Sequence, residues 1–182
     1  MTSTGVTLYT SKQIDDLAQT IATTIDTINR KHIEHGLTIT VNDNDKIAVF
    51  GDIHGDIISF KNGVKQAESQ GAKYLIFCGD YIDKGEADLE CIIYALTLFN
   101  SNPSKYVTLI GNHEMQLYGG LSYKLHQSVE QLSKHVDIVN QLATVIGMLP
   151  LCITIEFKTS NRRVFCSHGA YPFTYKPKRT HT

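Results

Sequence analysis

KIAVFGDIHGD, residues 46–56, decides how the rest of the chain is read. A short apolar run, Ile47 to Phe50, has the length of a buried strand and stops at Gly51. Asp52, His54 and Asp56 follow at once, so the strand delivers carboxylates and an imidazole from its C-terminal end, where open α/β sheets place their chemistry. Gly51 and Gly55 bracket Asp-x-His and let the backbone turn tightly enough for both side chains to converge on one point. The same grammar recurs in YLIFCGDYIDKG (74–85), YVTLIGNHE (106–114) and RVFCSHGA (163–170): an apolar run, then a polar, glycine-flanked turn.

The surrounding sequence forms a regular frame for these turns. Upstream, Ile14, Leu17, Ile21, Ile25 and Ile28 recur at helical spacing, predicting an amphipathic helix over 11–31 with Ser11 as N-cap, packed on the sheet. The polar stretch TVNDND (40–45) then breaks the pattern. Downstream, a helix over 56–70 closed by Gly71 and a strand over 73–78 make a strand-helix-strand unit. A second helix (86–100) and a third strand (106–110) extend it into a parallel, doubly covered layout. Residues 114–147 are less regular, with Gly119 and Gly120 ahead of a helix from about 129 to 146 that would lie over the site face. Strands 151–157 and 163–167 flank KTSN as a hairpin, adding antiparallel members to the sheet.

With 182 residues, 42% of them hydrophobic and 19% charged, one domain is expected: residues 1–45 as an N-terminal helix and connection, 46–170 as the core, and 171–182 as a tail. A net charge of −1 supplies no field for nucleic acid or an anionic membrane, and no apolar run reaches spanning length. Cys78, Cys91, Cys152 and Cys166 show no CxxC spacing, which points to buried thiols in a reducing compartment. A soluble cytoplasmic protein is the expectation.

GDIHG (51–55), GDYIDKG (79–85), GNHE (111–114) and LPLCITIE…RRVFCSHGA (150–170) resemble the calcineurin-like metallophosphoesterases, most closely the Ser/Thr phosphoprotein phosphatase branch. The resemblance implies an α/β fold, a mixed β-sheet sandwich flanked by helices, here without the C-terminal part of the second sheet. It implies a two-metal site with Asp52 and His54 on the first ion, Asp80 bridging, and Asn112 and His168 on the second. His113 would be the general acid and Asp83 its partner, with Lys84 and Asn112 at the phosphate. Carboxylates, an amide oxygen and imidazoles suit Mn, Fe or Zn, whereas an all-oxygen set would suit Mg or Ca. Two such ions can acidify a water and clamp phosphoryl oxygens, so no Ser or Cys nucleophile is needed. Taken singly, Asp80 and Asp83 read as turn formers, Asn112 as a left-handed turn residue, Asp56 as a helix cap, and Glu114 as a helix-start or supporting carboxylate. His32, His35, His126 and His135 carry no assignment.

Two departures matter. Lys84 and Ile110 stand where the family carries arginine, weakening the grip on phosphate, and the downstream histidine that completes the second metal in the family has no counterpart here. The chain resembles the N-terminal two-thirds of a phosphatase domain. Three functions follow as expectations: a phosphomonoesterase acting on phosphoproteins, with a regulatory subunit open; a dinucleoside polyphosphate hydrolase, favoured by Ile110 and opposed by Asp83 and Glu114; or a catalytically weak phosphatase-like binding protein.

Overall fold

The computed structural model describes residues 9–31, 36–118 and 135–169. Elements follow in the order α1 (Ser11–Lys31), β1 (Gly36–Val41), β2 (Lys46–Phe50), α2 (Ile57–Ser69), β3 (Ala72–Phe77), α3 (Asp88–Ser101), β4 (Tyr106–Thr108), α4 (Asn112–Tyr118), α5 (Val136–Met148), β5 (Cys152–Phe157) and β6 (Arg163–Ser167).

β2, β3 and β4 form a parallel sheet in that order. β3 and β4 read as apolar runs because both faces are covered, whereas edge strand β2 leaves Val49 exposed. Leu75 and Phe77 point into a core shared with α1, α2, α3 and α5, while the alternate residue Ile76 packs with Val107 and Leu109 against a second sheet. That second sheet, β1-β5-β6, is mixed: β1 runs parallel to β5 and β5 antiparallel to β6. Val41, Ile153, Ile155 and Cys166 supply its inner face.

The double covering is therefore helices on one side and a sheet on the other, and the hairpin extends this second sheet, not the parallel one as the sequence suggested. Strand β1 was not read from the sequence at all. Its alternating Leu37, Ile39 and Val41 are the inward positions of a half-buried strand, but TVNDND masked its last two residues as connection. Helix α1 packs on α3 and α5, not directly on a sheet. Its N-cap is Thr10, one residue before Ser11. Thr10 Oγ1 accepts from Gln13 N at 3.3 Å while Gln13 Oε1 accepts from Thr10 N at 2.9 Å, a reciprocal capping box.

The other caps match their sequence signals. Asp56 Oδ1 accepts from Ser59 N at 2.9 Å at the start of α2, and Gly71, at φ +80, ends the same helix by donating to Glu68 O. Of the helix expected over 129–146, the described part is α5, which runs on to Met148; residues 129–134 and the Gly119-Gly120 break lie outside the described residues. All four cysteines are free thiols, three of them buried and Cys78 half-buried.

Candidate metal and phosphate site

Because β2, β3 and β4 are parallel, the turns that leave them emerge at the same end of the sheet. β6 directs Ser167-His168 to join them. Backbone hydrogen bonds sew the first two turns together: Ile53 N and His54 N both donate to Asp80 O, at 2.9 and 2.8 Å, and Gly55 N donates to Tyr81 O. His54, Asp80, Asp83 and Lys84 all take positive φ, at 48°, 54°, 71° and 80°. Each such non-glycine residue costs about 1–3 kcal/mol, and strain of this kind concentrates where side-chain direction matters to function.

Asp80 sits at the centre, 2% exposed, with Oδ1 accepting from His113 N at 3.1 Å. Around it lie His54 Nε2 at 3.7 Å and His113 Nε2 at 3.6 Å from Oδ2, and His168 Nε2 at 3.3 Å from Oδ1. Asp52 reaches His54 Nε2 at 3.5 Å and His168 Nδ1 at 3.9 Å, and Asn112 Oδ1 lies 2.8 Å from His168 Nε2. All the residues picked from the sequence as metal ligands are thus brought together.

Two atom sets have every member within 4.8 Å of the others: His54, Asp80 and His113, and Asp52, Asp80 and His168. The sequence had paired His54 with Asp52 and kept His113 free of metal. In the fold Asp80 is common to both sets, and Asp52 turns toward His168 as well as His54. Donor atoms about 2.0–2.2 Å from one ion stand roughly 3–3.5 Å apart, so these spacings fit a metal after small side-chain adjustment. The mixed carboxylate, imidazole and amide set fits Mn, Fe or Zn.

Hydrogen bonds select the ring forms. His54 Nδ1 lies 3.0 Å from Ile82 O, an acceptor only, and Nε2 lies 2.9 Å from the Lys84 ammonium, a donor only. An acceptor at Nδ1 and a donor at Nε2 suit the tautomer with its lone pair on Nε2, the atom facing Asp52 and Asp80. His113 Nδ1 meets Asp83 Oδ2 at 2.8 Å, so its other nitrogen faces the centre. The exposed Lys84 stands at the rim. Ile110 is 6% exposed and packs in the helix-side core.

Of the two sequence readings of Glu114, the structure shows the supporting carboxylate. It is fully buried, and its carboxylate accepts from the backbone N–H of Asp80, Tyr81, Ile82 and Gly111. Burial pushes its carboxyl above the usual range, while the amide donors pull the other way. No signal within GNHE predicts this, since its partners lie over thirty residues upstream except for Gly111.

Two β-sheets packed face to face, with carboxylate, amide and imidazole groups gathered at their strand ends, define a metallophosphoesterase-type site. Residues 45–181 match the model of the calcineurin-like phosphoesterases, and the chain belongs to that family. It is 32% identical over 128 residues to serine/threonine-protein phosphatase 2B catalytic subunit A1 of Saccharomyces cerevisiae, an alignment covering 68% of this chain and 21% of the relative. It is 25% identical to the serine/threonine-protein phosphatase 6 catalytic subunit of Caenorhabditis elegans, over 68% of this chain and 35% of that one. A solved Saccharomyces cerevisiae protein serine/threonine phosphatase with similarity to human phosphatase PP5 shares the fold, with a TM-score of 0.56 at 24% identity over 78% of this chain and 45% of that one. The chain thus spans between a fifth and a half of the length of these proteins. Among the described residues no helix is long and apolar enough to cross a membrane.

Proposed function

We propose that this chain carries the site of a metal-dependent phosphoesterase that hydrolyses phosphomonoesters, with serine/threonine phosphoproteins as the substrate class. The observation that carries the reading is the convergence of Asp52, His54, Asp80, Asn112 and His168 at one sheet end, with the His113–Asp83 pair beside them. Asp52, His54, Asp80, Asn112 and His168 would hold the ions, of Mn, Fe or Zn type. When bound, these supply an acidified water and polarise the phosphate oxygens.

The chain's own residues do the rest. His54 presents Nε2 because Ile82 O holds its Nδ1–H. His113, turned by Asp83, offers a proton from Nε2 to the departing alkoxide. Lys84 brings a mobile positive charge to the rim, and Asn112 offers its amide to a phosphate oxygen. Asp83 and Glu114 favour the phosphoprotein branch. The buried Ile110, an aliphatic residue directly before GNHE, keeps dinucleoside polyphosphates as the second reading.

The test is hydrolysis with Mn²⁺ of a phosphoserine peptide, a dinucleoside tetraphosphate and an aryl phosphate. Metal-dependent turnover of peptide over dinucleotide supports the proposal. The reverse order moves the chain to the second reading, and binding of Mn²⁺ without any turnover makes it a phosphatase-like binding protein.

A further inference from the structure

We infer that Glu114 is a positioning residue, a buried bracket that sets the distance between the turn carrying Asp80 and the turn carrying Asn112, and so the affinity of the site for metal. The inference rests on the proposed metal-binding role of those two residues. Oε2 accepts from Asp80 N at 2.8 Å and from Gly111 N at 2.9 Å, joining one turn to the other through a single oxygen. Oε1 accepts from Tyr81 N at 2.8 Å and Ile82 N at 3.3 Å, fixing the two residues that follow Asp80. Asp80 is in the left-handed region at φ +54, a conformation that persists only where surrounding bonds over-determine it. The Glu114 bonds supply that constraint from one side, and the donations of Ile53 N and His54 N to Asp80 O supply it from the other.

The chemistry of a carboxylate matches this place. An ionised carboxylate is acceptor-only, with room for four donors, and four backbone donors are what the two turns present. Tyr81 reinforces the arrangement one layer below, its buried hydroxyl within hydrogen-bonding distance of both Phe77 O and Leu109 O. Those carbonyls lie just before the two turns, so the strands are held in register while Glu114 holds the turns.

Glu114→Gln has the same shape but replaces one oxygen with a donor. In either orientation two backbone N–H groups then face an N–H, and the turns must separate. Removal of a residue that orients metal ligands costs about 10–100-fold in metal affinity. The experiment is Mn²⁺ titration by calorimetry of wild type, Glu114→Gln and Ile21→Ala, together with amide hydrogen exchange of metal-free wild type. Ile21→Ala removes a fully buried side chain from α1, which packs on α3 and α5, and serves as a control for general destabilisation.

The expected result is a 10–100-fold rise in Mn²⁺ Kd for Glu114→Gln, a Kd within about twofold of wild type for Ile21→Ala, and exchange of the Asp80, Tyr81 and Gly111 amides as slow as that of β3. A Glu114→Gln Kd matching wild type, or an equal rise in Ile21→Ala, overturns the inference. Should Glu114→Gln fail to fold, hydrogen exchange decides: fast exchange at those three amides refutes the bracket. Failure of wild type to bind Mn²⁺ refutes the proposed function instead, and the exchange result still judges the bracket.

Discussion

Replacing Gly79 with alanine tests how tightly the second and third turns are keyed together. A Cβ at Gly79 would lie 2.3 Å from Gly111 N, 2.6 Å from Gly111 Cα and 2.7 Å from Ile110 C, all of them backbone atoms that cannot swing aside. Ordinary contact begins near 3.4 Å, so the GNHE turn must retreat by about 1 Å. Gly79 also sits at φ +100, where an L-residue pays about 1–3 kcal/mol before any contact is considered. Overpacking adds roughly 1–3 kcal/mol, so Gly79→Ala should destabilise by about 2–6 kcal/mol. The shift separates Asp80 from Asn112 and His113, and a misplacement of about 1 Å can cost ~10²-fold in rate. Urea unfolding monitored by circular dichroism measures the first effect, and aryl phosphate hydrolysis at saturating Mn²⁺ the second. A variant within about 0.5 kcal/mol of wild type, or one destabilised as expected yet fully active, would show that the turns do not depend on this approach.

Two further outcomes are expected. His113→Asn should lower turnover of substrates with poor leaving groups by about 10²–10⁴-fold and that of activated aryl phosphates much less, with Mn²⁺ Kd unchanged; equal losses on both would remove the leaving-group role. Glu68 accepts from Lys105 Nζ at 2.6 Å and from the Tyr106 hydroxyl, bonds that hold its carboxyl below the usual glutamate range. A depressed folded-state pKa gives stability that is present above the unfolded pKa and lost as pH falls through the folded one. Wild type should therefore exceed Glu68→Gln by less than about 1 kcal/mol at pH 7, this being a partly exposed pair, and the gap should close as acid protonates the Glu68 carboxyl. A gap unchanged by acid in urea melts would place the effect in packing.

Local features are the ones legible in the order of residues. Apolar runs of strand length, each leading into a glycine-flanked turn that carries Asp, His or Asn, marked β2, β3, β4 and β6 and the residues that leave their ends, because a strand that packs in a core is written with apolar side chains. Helix ends were nearly as legible, since Asp56 and Gly71 act through bonds to residues three positions away. Pairing was not legible. β1 and β5 are over a hundred residues apart, and nothing in GLTITV says that its partner is CITIEF, so the division into two sheets became visible only in three dimensions. The same holds at the site: which side chains share Asp80 depends on φ values at His54, Asp80 and Lys84 that their neighbours enforce. Glu114 is the sharpest case. A glutamate at a helix start is exposed in most proteins, and only the meeting of two turns, from residues 80–82 and 111, buries its carboxylate and gives it four backbone donors to satisfy.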